Sequence, residues 1–460
     1  MAANVQSDAP ANILVPVGSL GAGVQADEVR YGLEAGADVI AADAGSTDSG
    51  AAYLALGISK YSREAVKRDL AILMAAQAEA GIPLLIGSCG QSGGDQGLEW
   101  TRDIATEVAR ELHITPRIAV IRSEQDAGTL KAKNAQGKIR PLAPHGPLSD
   151  AVIDQCEHIV AAMGPEPYIA ALEAGADIVL GGRTSDPAVL AAFALWRGAP
   201  AGAAWHAGKV GECGAQCTAN VLRGRGVLLR IGSEGFEVEP LHLQNRCTTH
   251  SVSAHLLYEN SDPIRLTEPG GEVDVSQARY EQASERVVRV TGSRWRPIPY
   301  TMKLEGVVAG PYQTMMLIGI ADPEVLAELE TFHDRQHAAL CERTRQTFGA
   351  EAGDFHISLR MYGWNALSGQ KVPPGTPPPR EVGVLCVITA ETQSLANRIA
   401  KACNPYLFHF PLKPGIELPS YGFVFSPADI ECGRVYEFKL NHVLEVSDPL
   451  EVVRTEWVDL

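Results

Sequence analysis

Leu33–Asp38 reads Leu-Glu-Ala-Gly-Ala-Asp, and the same six residues recur at Leu172–Asp177. A short apolar run follows each copy, Val39–Ala42 after the first and Ile178–Leu180 after the second. A glycine at this place suits a left-handed cap that ends a helix, and a short apolar run suits a strand buried on both faces. Each copy therefore predicts half of a parallel α/β unit.

The loops after these two strands carry polar side chains. Asp43–Asp48 contains two carboxylates, a serine and a threonine, and Gly181–Asp186 contains an arginine, a threonine, a serine and a carboxylate. Ligands of parallel α/β sheets bind at the carboxyl ends of the strands, where both loops are expected. A single loop of this kind is more often a turn with helix-capping residues, but several converging loops favour a binding site.

The composition is typical of a globular protein that does not bind nucleic acid. The chain has 460 residues, 45% hydrophobic and 20% charged, and its formal net charge is −16. This length predicts two domains, and the acidic charge without a Lys/Arg cluster argues against nucleic acid and membrane as partners. No apolar run is long enough to span a membrane, and Met1–Pro10 lacks the regions of a signal peptide. Nine scattered cysteines favour a reducing compartment, so we expect a cytoplasmic protein.

The first domain is predicted over residues 1–285. Strands and helices alternate there as far as Trp196, which favours an α/β domain with a mainly parallel sheet and helices on both faces. A helix is predicted over Asp150–Ala162. A closed barrel shows the same alternation and stays open as an alternative. The periodicity weakens over about 199–270, which we interpret as a loop-rich insert of short strands around the site.

The second domain is predicted over residues 286–460. Its order of elements, β-α-β-loop-β-α-β, is the split βαβ pattern of a ferredoxin-like α+β domain. We interpret the Pro-rich segment Val372–Arg380 as a hairpin loop inside this domain, although a linker before Glu381 is the alternative.

Two glycine-rich loops also follow predicted strands. Gly18–Gly23 opens a helix and offers backbone N–H groups to an anion, but it matches neither a dinucleotide nor a P-loop fingerprint and equally suits a packing turn. Gly87–Asp95 brings serines, a thiol and a carboxylate to one strand exit, where glycines let the backbone approach a ligand. Cys89 is a weak candidate nucleophile because no histidine lies nearby in sequence to activate it.

Two pairs of histidines suggest acid/base or ligand groups. His250 and His255 lie in a polar stretch of small residues, although each alone is more often a hydrogen-bonded structural histidine. His333 and His337 imitate a zinc-binding helix, but the polar face of their predicted helix explains them better.

The resulting candidates divide into two roles. We expect proton transfer from Asp43, Asp48, Asp95 and His250. We expect substrate binding by Gly18, Ser19, Ser46, Thr47, Gly87, Ser88, Cys89, Arg183, Thr184, Ser185, Asp186 and His255. No cofactor is predicted. The acids and histidines near one sheet edge could hold a divalent metal, but no spacing is diagnostic, so no metal ligand is assigned.

Several of these segments together resemble the acyclic terpene utilisation (AtuA-type) family. The resemblance extends from about Asn12 to Asp322. It rests on several uncommon sequence motifs: Val17–Gly21, Ala42–Asp48, Ile86–Asp95, Gly181–Asp186, His250–Glu259 and Glu268–Gly271. Cys89 stands where the family pattern leads us to expect a small residue, which argues against a shared cysteine mechanism. The segment from Glu381 resembles a small companion domain that other members carry fused or as a separate chain, and Arg398–Pro405 is a divergent version of its motif. The family name implies catabolism of branched acyclic terpenoid acids.

From these residues we expect a carbon–oxygen lyase of the hydratase/dehydratase type, acting on a small or branched carboxylic acid or its CoA thioester. A hydrolase that uses Cys89 or Ser88 on an ester, amide or thioester is one alternative, and a non-catalytic acyl-binding subunit is another. The expected partner is therefore a small acid or acyl-CoA. We also expect a homodimer or a tetramer built from dimers, with the C-terminal domain contributing to the interface, because two-fold assemblies are the commonest among enzymes of this size.

Overall fold

The computed structural model describes residues 9–258, 260, 262–373, 375–413, 415 and 419–460. It divides into two compact units, Met1–Val308 with Glu437–Leu460, and Ala309–Tyr436. The sequence predicted a single division at residue 286, whereas in the structure the last residues of the chain belong to the first unit. Most of Met1–Pro10 lies outside the described residues.

The first unit contains ten α-helices within its described residues. They are α1 Ala26–Glu34, α2 Ala51–Leu56, α3 Arg63–Ala80, α4 Asp95–Leu112, α5 Ala127–Ala135, α6 Asp150–Gln155, α7 Glu166–Glu173, α8 Asp186–Trp196, α9 Ala201–Gly211 and α10 Thr249–His255. Its strands are β1 Ala11–Val15, β2 Val39–Asp43, β3 Leu84–Gly87, β4 Arg117–Arg122, β5 Ile139–Pro141, β6 Cys156–Ala162, β7 Ile178–Gly181, β8 Val227–Ile231, β9 Gly235–Pro240, β10 Arg265–Glu268, β11 Gly271–Asp274, β12 Arg279–Gln282, β13 Val288–Thr291, β14 Arg294–Pro297 and β20 Arg454–Asp459. Two long strands, β15 Thr301–Ile320 and β19 Ile430–Glu445, have residues in both units.

A ten-stranded mixed sheet in the order β12-β13-β9-β8-β1-β2-β3-β7-β4-β20 forms the centre of the first unit. Only β1, β2, β3, β7 and β4 pair in parallel. The prediction of a mainly parallel sheet is therefore wrong. Five antiparallel pairings extend the parallel centre at both edges, through the β8–β9 hairpin and its neighbours on one side and through β20 on the other. A short hairpin connection can only join antiparallel strands, and the predicted loop-rich insert supplies that hairpin.

Helices cover both faces of this sheet, because successive strand residues point to opposite sides. Ile13 and Val15 belong to a hydrophobic cluster that includes residues of α8 and α9, whereas Leu14 between them belongs to a second cluster with residues of α3 and α4. All three side chains are fully buried. Each such aliphatic side chain contributes about 1.5–3 kcal/mol when it leaves water.

The two sequence copies have equivalent structures. Gly36 and Gly175 adopt the left-handed conformation with φ of 86° and 81°, as the helix-cap interpretation predicted. The aspartate that ends each copy binds the neighbouring strand: Asp38 Oδ2 accepts from the Asn12 amide over 2.8 Å, and Asp177 Oδ2 accepts from the Arg117 amide over the same distance. The repeated Gly-Ala-Asp thus sets the helix end and fixes the start of a parallel pair.

The segment Asp150–Ala162, predicted to be one helix, is half strand. Helix α6 ends at Gln155, and β6 pairs antiparallel with the Lys303–Val308 part of β15. The run Ile159–Ala162 is buried against that partner, so tertiary pairing overrides local helix propensity. In the same unit β10, β11 and β14 form a small antiparallel sheet.

The second unit contains β16 His356–Tyr362, β17 Val382–Ala390, β18 Gly422–Phe423, α11 Pro323–Ala327, α12 Leu329–Phe348 and α13 Gln393–Phe408. Strand β17 pairs antiparallel with both β16 and the Tyr312–Ile320 part of β15. Residues of α12 and α13 share one hydrophobic cluster with these strands. The structure thus establishes an antiparallel sheet packed with helices, while the ferredoxin-like assignment stays a prediction. Pro374, within the predicted Pro-rich loop, lies outside the described residues.

Within the described part of the chain, none of the helices has the length and apolarity needed to cross a bilayer.

Candidate functional site

A cavity of about 290 Å³ opens in the first unit where β1, β2 and β7 end. Six predicted site residues line it: Gly18, Ser19, Asp43, Ser46, Asp48 and Asp186. The loops that follow the two sequence copies therefore converge, since Asp43 comes from the first and Asp186 from the second. Sequence reasoning missed other lining side chains, among them Lys60, Tyr61, Glu212, Gln216, Arg225 and Tyr258.

Asp43 is the last residue of β2 and is only 6% exposed. Its Oδ2 accepts from the Gly45 amide over 3.2 Å, while its buried Oδ1 has no hydrogen-bond partner among the described residues. Burial, with the charge of Asp186 as the next contribution, raises the pKa of Asp43 well above its usual value, although Arg183 opposes this. A raised pKa of this kind is the property that suits a carboxyl group to the role of general acid.

Glu212 is a second buried carboxyl group in the same lining. It follows α9 directly, is 5% exposed and accepts a hydrogen bond from Lys209 through Oε1. Its Oε2 is buried without a partner in the described chain. Burial raises the pKa of Glu212 to about 8, despite the opposing charge of Lys209. Nothing in its local sequence marks this residue, because its role depends on burial beside strands that are distant in sequence.

Arg183 lies at the centre of a buried ion-pair network. Its Nη1 donates to Asp186 Oδ1 over 2.8 Å, and its Nε donates to Glu305 Oε2 over 3.0 Å. Glu305 also accepts from Thr47 over 2.7 Å and forms an ion pair with Lys303. Burial alone would raise the pKa of Glu305, but Arg183 and Lys303 lower it to about 2. Arg183 was predicted to bind substrate, whereas this geometry favours a positioning role in which it holds Asp186.

The loop between β3 and α4 contacts the two loops that follow β2 and β7. Ser88 and Gln91 have positive φ values of 48° and 87°, which residues other than glycine rarely adopt. Ser88 Oγ accepts from Arg183 Nη1 over 3.2 Å and from the Thr184 amide over 3.3 Å. Gln91 Nε2 donates to the Ser46 carbonyl over 3.2 Å. Strained backbone held by such contacts is characteristic of preorganised sites.

Three other predicted residues of this region lie away from the cavity lining. Gly87 packs beside Asp43, and a Cβ there would come within 3.3 Å of Asp43 Oδ1. Cys89 is fully buried in the hydrophobic cluster, and burial raises the pKa of its thiol far above the usual value, which argues against a nucleophile. Asp95 begins α4 and lies 3.6 Å from Arg122 and 3.5 Å from Arg454. Burial, followed by the charge of a nearby glutamate, raises the pKa of Asp95.

The remaining predicted residues surround the lining. Thr184 Oγ1 shares a hydrogen bond of 2.8 Å with the Tyr168 hydroxyl. Ser185 donates to Glu268, a glutamate whose pKa burial raises to about 7. Sequence reasoning missed Glu268, although it lies in one of the strings that carried the family resemblance. Glu268 is therefore a further acid with a raised pKa, and it lies beside the loop that follows β7.

His250 and His255 line a neighbouring hollow of about 440 Å³. This hollow shares Gln216, Val221 and Tyr258 with the cavity. His250 is exposed, whereas burial, with a smaller effect of nearby Lys209, lowers the pKa of His255 to about 4. His255 is therefore neutral near pH 7.

The described residues give no support to a metal centre. No group of three or more His, Cys, Asp or Glu side chains among them is arranged to hold a metal ion. His333 and His337 instead donate through Nε2 to backbone carbonyl oxygens, His333 to Leu359 over 3.3 Å and His337 to Ile357 over 2.9 Å. Both half-buried side chains therefore contact the backbone of β16, whereas the sequence interpretation placed them on a solvated polar face.

The family model described as "Acyclic terpene utilisation family protein AtuA" matches residues 42–418. The chain belongs to this family. The resemblance predicted from the sequence is thereby confirmed, and the match begins just before Asp43 and includes Asp186, Glu212 and Glu268. It ends within the segment assigned to a companion domain, and that assignment stays a prediction. No curated protein and no solved structure matches the chain.

Proposed function

We propose that this member of the family is a carbon–oxygen lyase of the hydratase/dehydratase type, acting on a small or branched carboxylic acid or its CoA thioester. The main support for the proposal is that Asp43 and Glu212, two buried carboxyl groups with raised pKa, line one cavity. Asp186, which is bound by Arg183, lines the same cavity. A carboxyl group whose pKa is raised by its environment is a usual general acid of such sites.

The reaction needs one group of each kind. In the dehydration direction, a carboxylate removes the proton from the carbon next to the carbonyl group, and an acid gives a proton to the departing hydroxyl group. The C–O bond breaks, a C=C bond forms and water leaves. Asp186, held by Arg183, suits the base, and Asp43 or Glu212 suits the acid because burial raises the pKa of each.

The hydrolase alternative has less support. Cys89 is fully buried, and Ser88 Oγ is engaged by Arg183 and Thr184. No histidine in the described chain forms a hydrogen bond with the Ser88 hydroxyl or the Cys89 thiol, which a nucleophile of this kind would need. The acyl-binding alternative predicts a chain that binds an acid without converting it.

To test the proposal, purified protein is incubated with hydroxylated, unsaturated and branched acids, free and as CoA thioesters. The gain or loss of water by each acid is then measured by mass spectrometry. Asp43→Asn and Glu212→Gln should each lower turnover at least about a hundredfold. Asp103→Asn, an exposed substitution on α4 away from the cavity, serves as the control. Wild-type turnover in both site variants, or no conversion by the native protein, would contradict the proposal.

Assembly and location are part of the same proposal. A homodimer or a tetramer of dimers in the cytoplasm remains our expectation, with the C-terminal domain at the interface. Light scattering of the full chain at micromolar concentration tests it, and a monomer would contradict it.

A further inference from the structure

Two exposed cations line the same cavity as the buried acids. Lys60 lies between α2 and α3, Arg225 precedes β8, and both side chains are exposed. Asp43 and Glu212 are 6% and 5% exposed. The two cations therefore lie toward the solvent, as does the exposed Asp48, and the buried Asp43 and Glu212 lie at the closed end.

Neither cation is neutralised by an ion pair within the described residues. Lys60 Nζ lies 5.2 Å from the centre of the Tyr61 ring, which itself lines the cavity. The backbone of Arg225 is fixed on both sides, since its amide donates to Glu28 Oε2 over 2.9 Å and its carbonyl accepts from the Ala215 amide over 3.0 Å. The backbone of Arg225 is thus fixed beside the cavity, and its guanidinium group forms no ion pair within the described residues.

The closed end offers polar atoms that an uncharged ligand group would satisfy. Asp43 Oδ1 and Glu212 Oε2 are both buried without a hydrogen-bond partner in the described chain, and such atoms normally have one. Burial raises the pKa of both groups, which reduces the negative charge that an anion would meet there. The charge of Asp186, the other carboxylate beside them, is balanced by Arg183.

We propose that Lys60 and Arg225 bind an anionic oxygen group of the ligand, while Asp43 and Glu212 hydrogen-bond to a hydroxyl group at its other end. The ligand class is a hydroxy acid, bound through its own carboxylate or through the phosphates of a coenzyme A carrier. A cavity of about 290 Å³ accommodates a small acid, whereas a whole coenzyme would extend beyond it. The assignment of the hydroxyl group as the part of the ligand that reacts rests on the proposed function. The binding of the anionic group by Lys60 and Arg225 does not.

Calorimetric titration at low salt tests this with four probes: 3-hydroxybutanoate, its uncharged methyl ester, 3-hydroxybutanoyl-CoA and coenzyme A. Lys60→Met and Arg225→Met remove the charges and keep most of the side-chain length. Arg223→Met is the matched control, because Arg223 is exposed nearby but does not line the cavity. We expect each cation variant to weaken binding of the charged ligand at least about tenfold, and the control to leave it unchanged. Raising the salt concentration should weaken wild-type binding in the same direction.

The probes also identify the source of the anion. Tighter binding of the acid than of its ester identifies the carboxylate, and binding of coenzyme A alone that depends on both cations identifies the phosphates. Equal affinity for acid and ester without any coenzyme A binding, unchanged affinity in both cation variants, or no binding of any probe overturns the proposal. Failure of the lyase assignment is a separate result: charge-dependent binding without any exchange of water keeps the anion site and removes the reaction.

Discussion

Arg183 Nη1 donates to Asp186 Oδ1 over 2.8 Å, so the loop after the second sequence copy contains both a carboxylate of the cavity lining and the cation that orients it. The two residues are three positions apart, at the junction between β7 and α8. A carboxylate bound at this distance has one preferred orientation, which a catalytic base requires. The same arginine reaches Glu305 on β15, so the loop is also fixed to a second sheet.

Removing this cation should destabilise the protein strongly. Arg183→Gln leaves two carboxylates without their shared partner, and the loss of one member of a buried pair costs about 3–5 kcal/mol in the free energy of unfolding. Arg289→Gln breaks the exposed pair with Glu237 and should cost less than about 1 kcal/mol. Urea denaturation of both variants measures the difference, and equal effects would contradict the assigned role of Arg183.

Two glycines with nearly the same φ allow the cost of backbone strain to be distinguished from the cost of a steric clash. Gly93 and Gly81 have φ of 66° and 64°, but a Cβ on Gly93 would lie 2.1 Å from the Arg183 amide nitrogen, whereas one on Gly81 would meet nothing within 4 Å. Gly81→Ala should therefore cost only the strain of the left-handed conformation, about 1–2 kcal/mol. Gly93→Ala should cost more and should also displace Arg183.

Denaturation curves and turnover measured on both alanine variants check this prediction. Loss of activity in Gly93→Ala with near-normal activity in Gly81→Ala is the expected result. The same loss of stability in both would mean that the close approach of Gly93 to the second site loop does not matter.

The sequence predicted those parts of the site that depend on local pattern. The buried strands after Leu33–Asp38 and Leu172–Asp177 could be recognised because an apolar run between a helix cap and a polar loop has few alternatives. Asp43 and Asp186 followed from their position at strand ends. The positions of the β8–β9 hairpin and of β6 in their sheets could not be predicted in this way. Each pairs with a strand that lies far away in the chain, and that strand decides the pairing direction.

Tertiary position explains why Glu212 was missed and why Asp95 was selected. Glu212 lies in a region without periodicity, and its raised pKa comes first from burial, an effect that Lys209 opposes. Asp95 follows β3 in sequence, but the intervening loop carries it to Arg122 and Arg454 instead of the cavity. Order along the chain therefore indicated the correct edge of the sheet but not which side chains meet there.

Glu212 should make the stability of the protein depend on pH in a specific direction. Its pKa is about 8 in the folded chain against 4.5 as the ordinary value, so its contribution to stability is complete below pH 4.5 and is lost as the pH rises through 8. Glu212→Gln has no such ionisation. The free energy of unfolding of the variant relative to wild type should therefore increase by at least about 1 kcal/mol between pH 5 and pH 8.

Glu107→Gln provides the comparison for the pH series. Hydrogen bonds from Lys67 and Arg63 lower the pKa of Glu107 to about 2, so this carboxylate is ionised in both states above pH 5. Its difference from wild type should stay constant over the same range. A flat difference for Glu212→Gln as well would show that Glu212 is ionised in the folded protein near pH 7 and would remove its role as an acid.

Cys89 should resist alkylation in the native protein. Its thiol is fully buried, donates to the Ile86 carbonyl and has a strongly raised pKa because of burial, so both access and thiolate formation are suppressed. Cys432 is exposed and serves as the accessible thiol of the same chain. Brief treatment with iodoacetamide followed by peptide mass spectrometry should show modification at Cys432 and none at Cys89, and denaturation should make both reactive. Native-state modification of Cys89 at a rate comparable to that of Cys432 would show that the loop after β3 opens, and it would restore the cysteine hydrolase as the leading alternative.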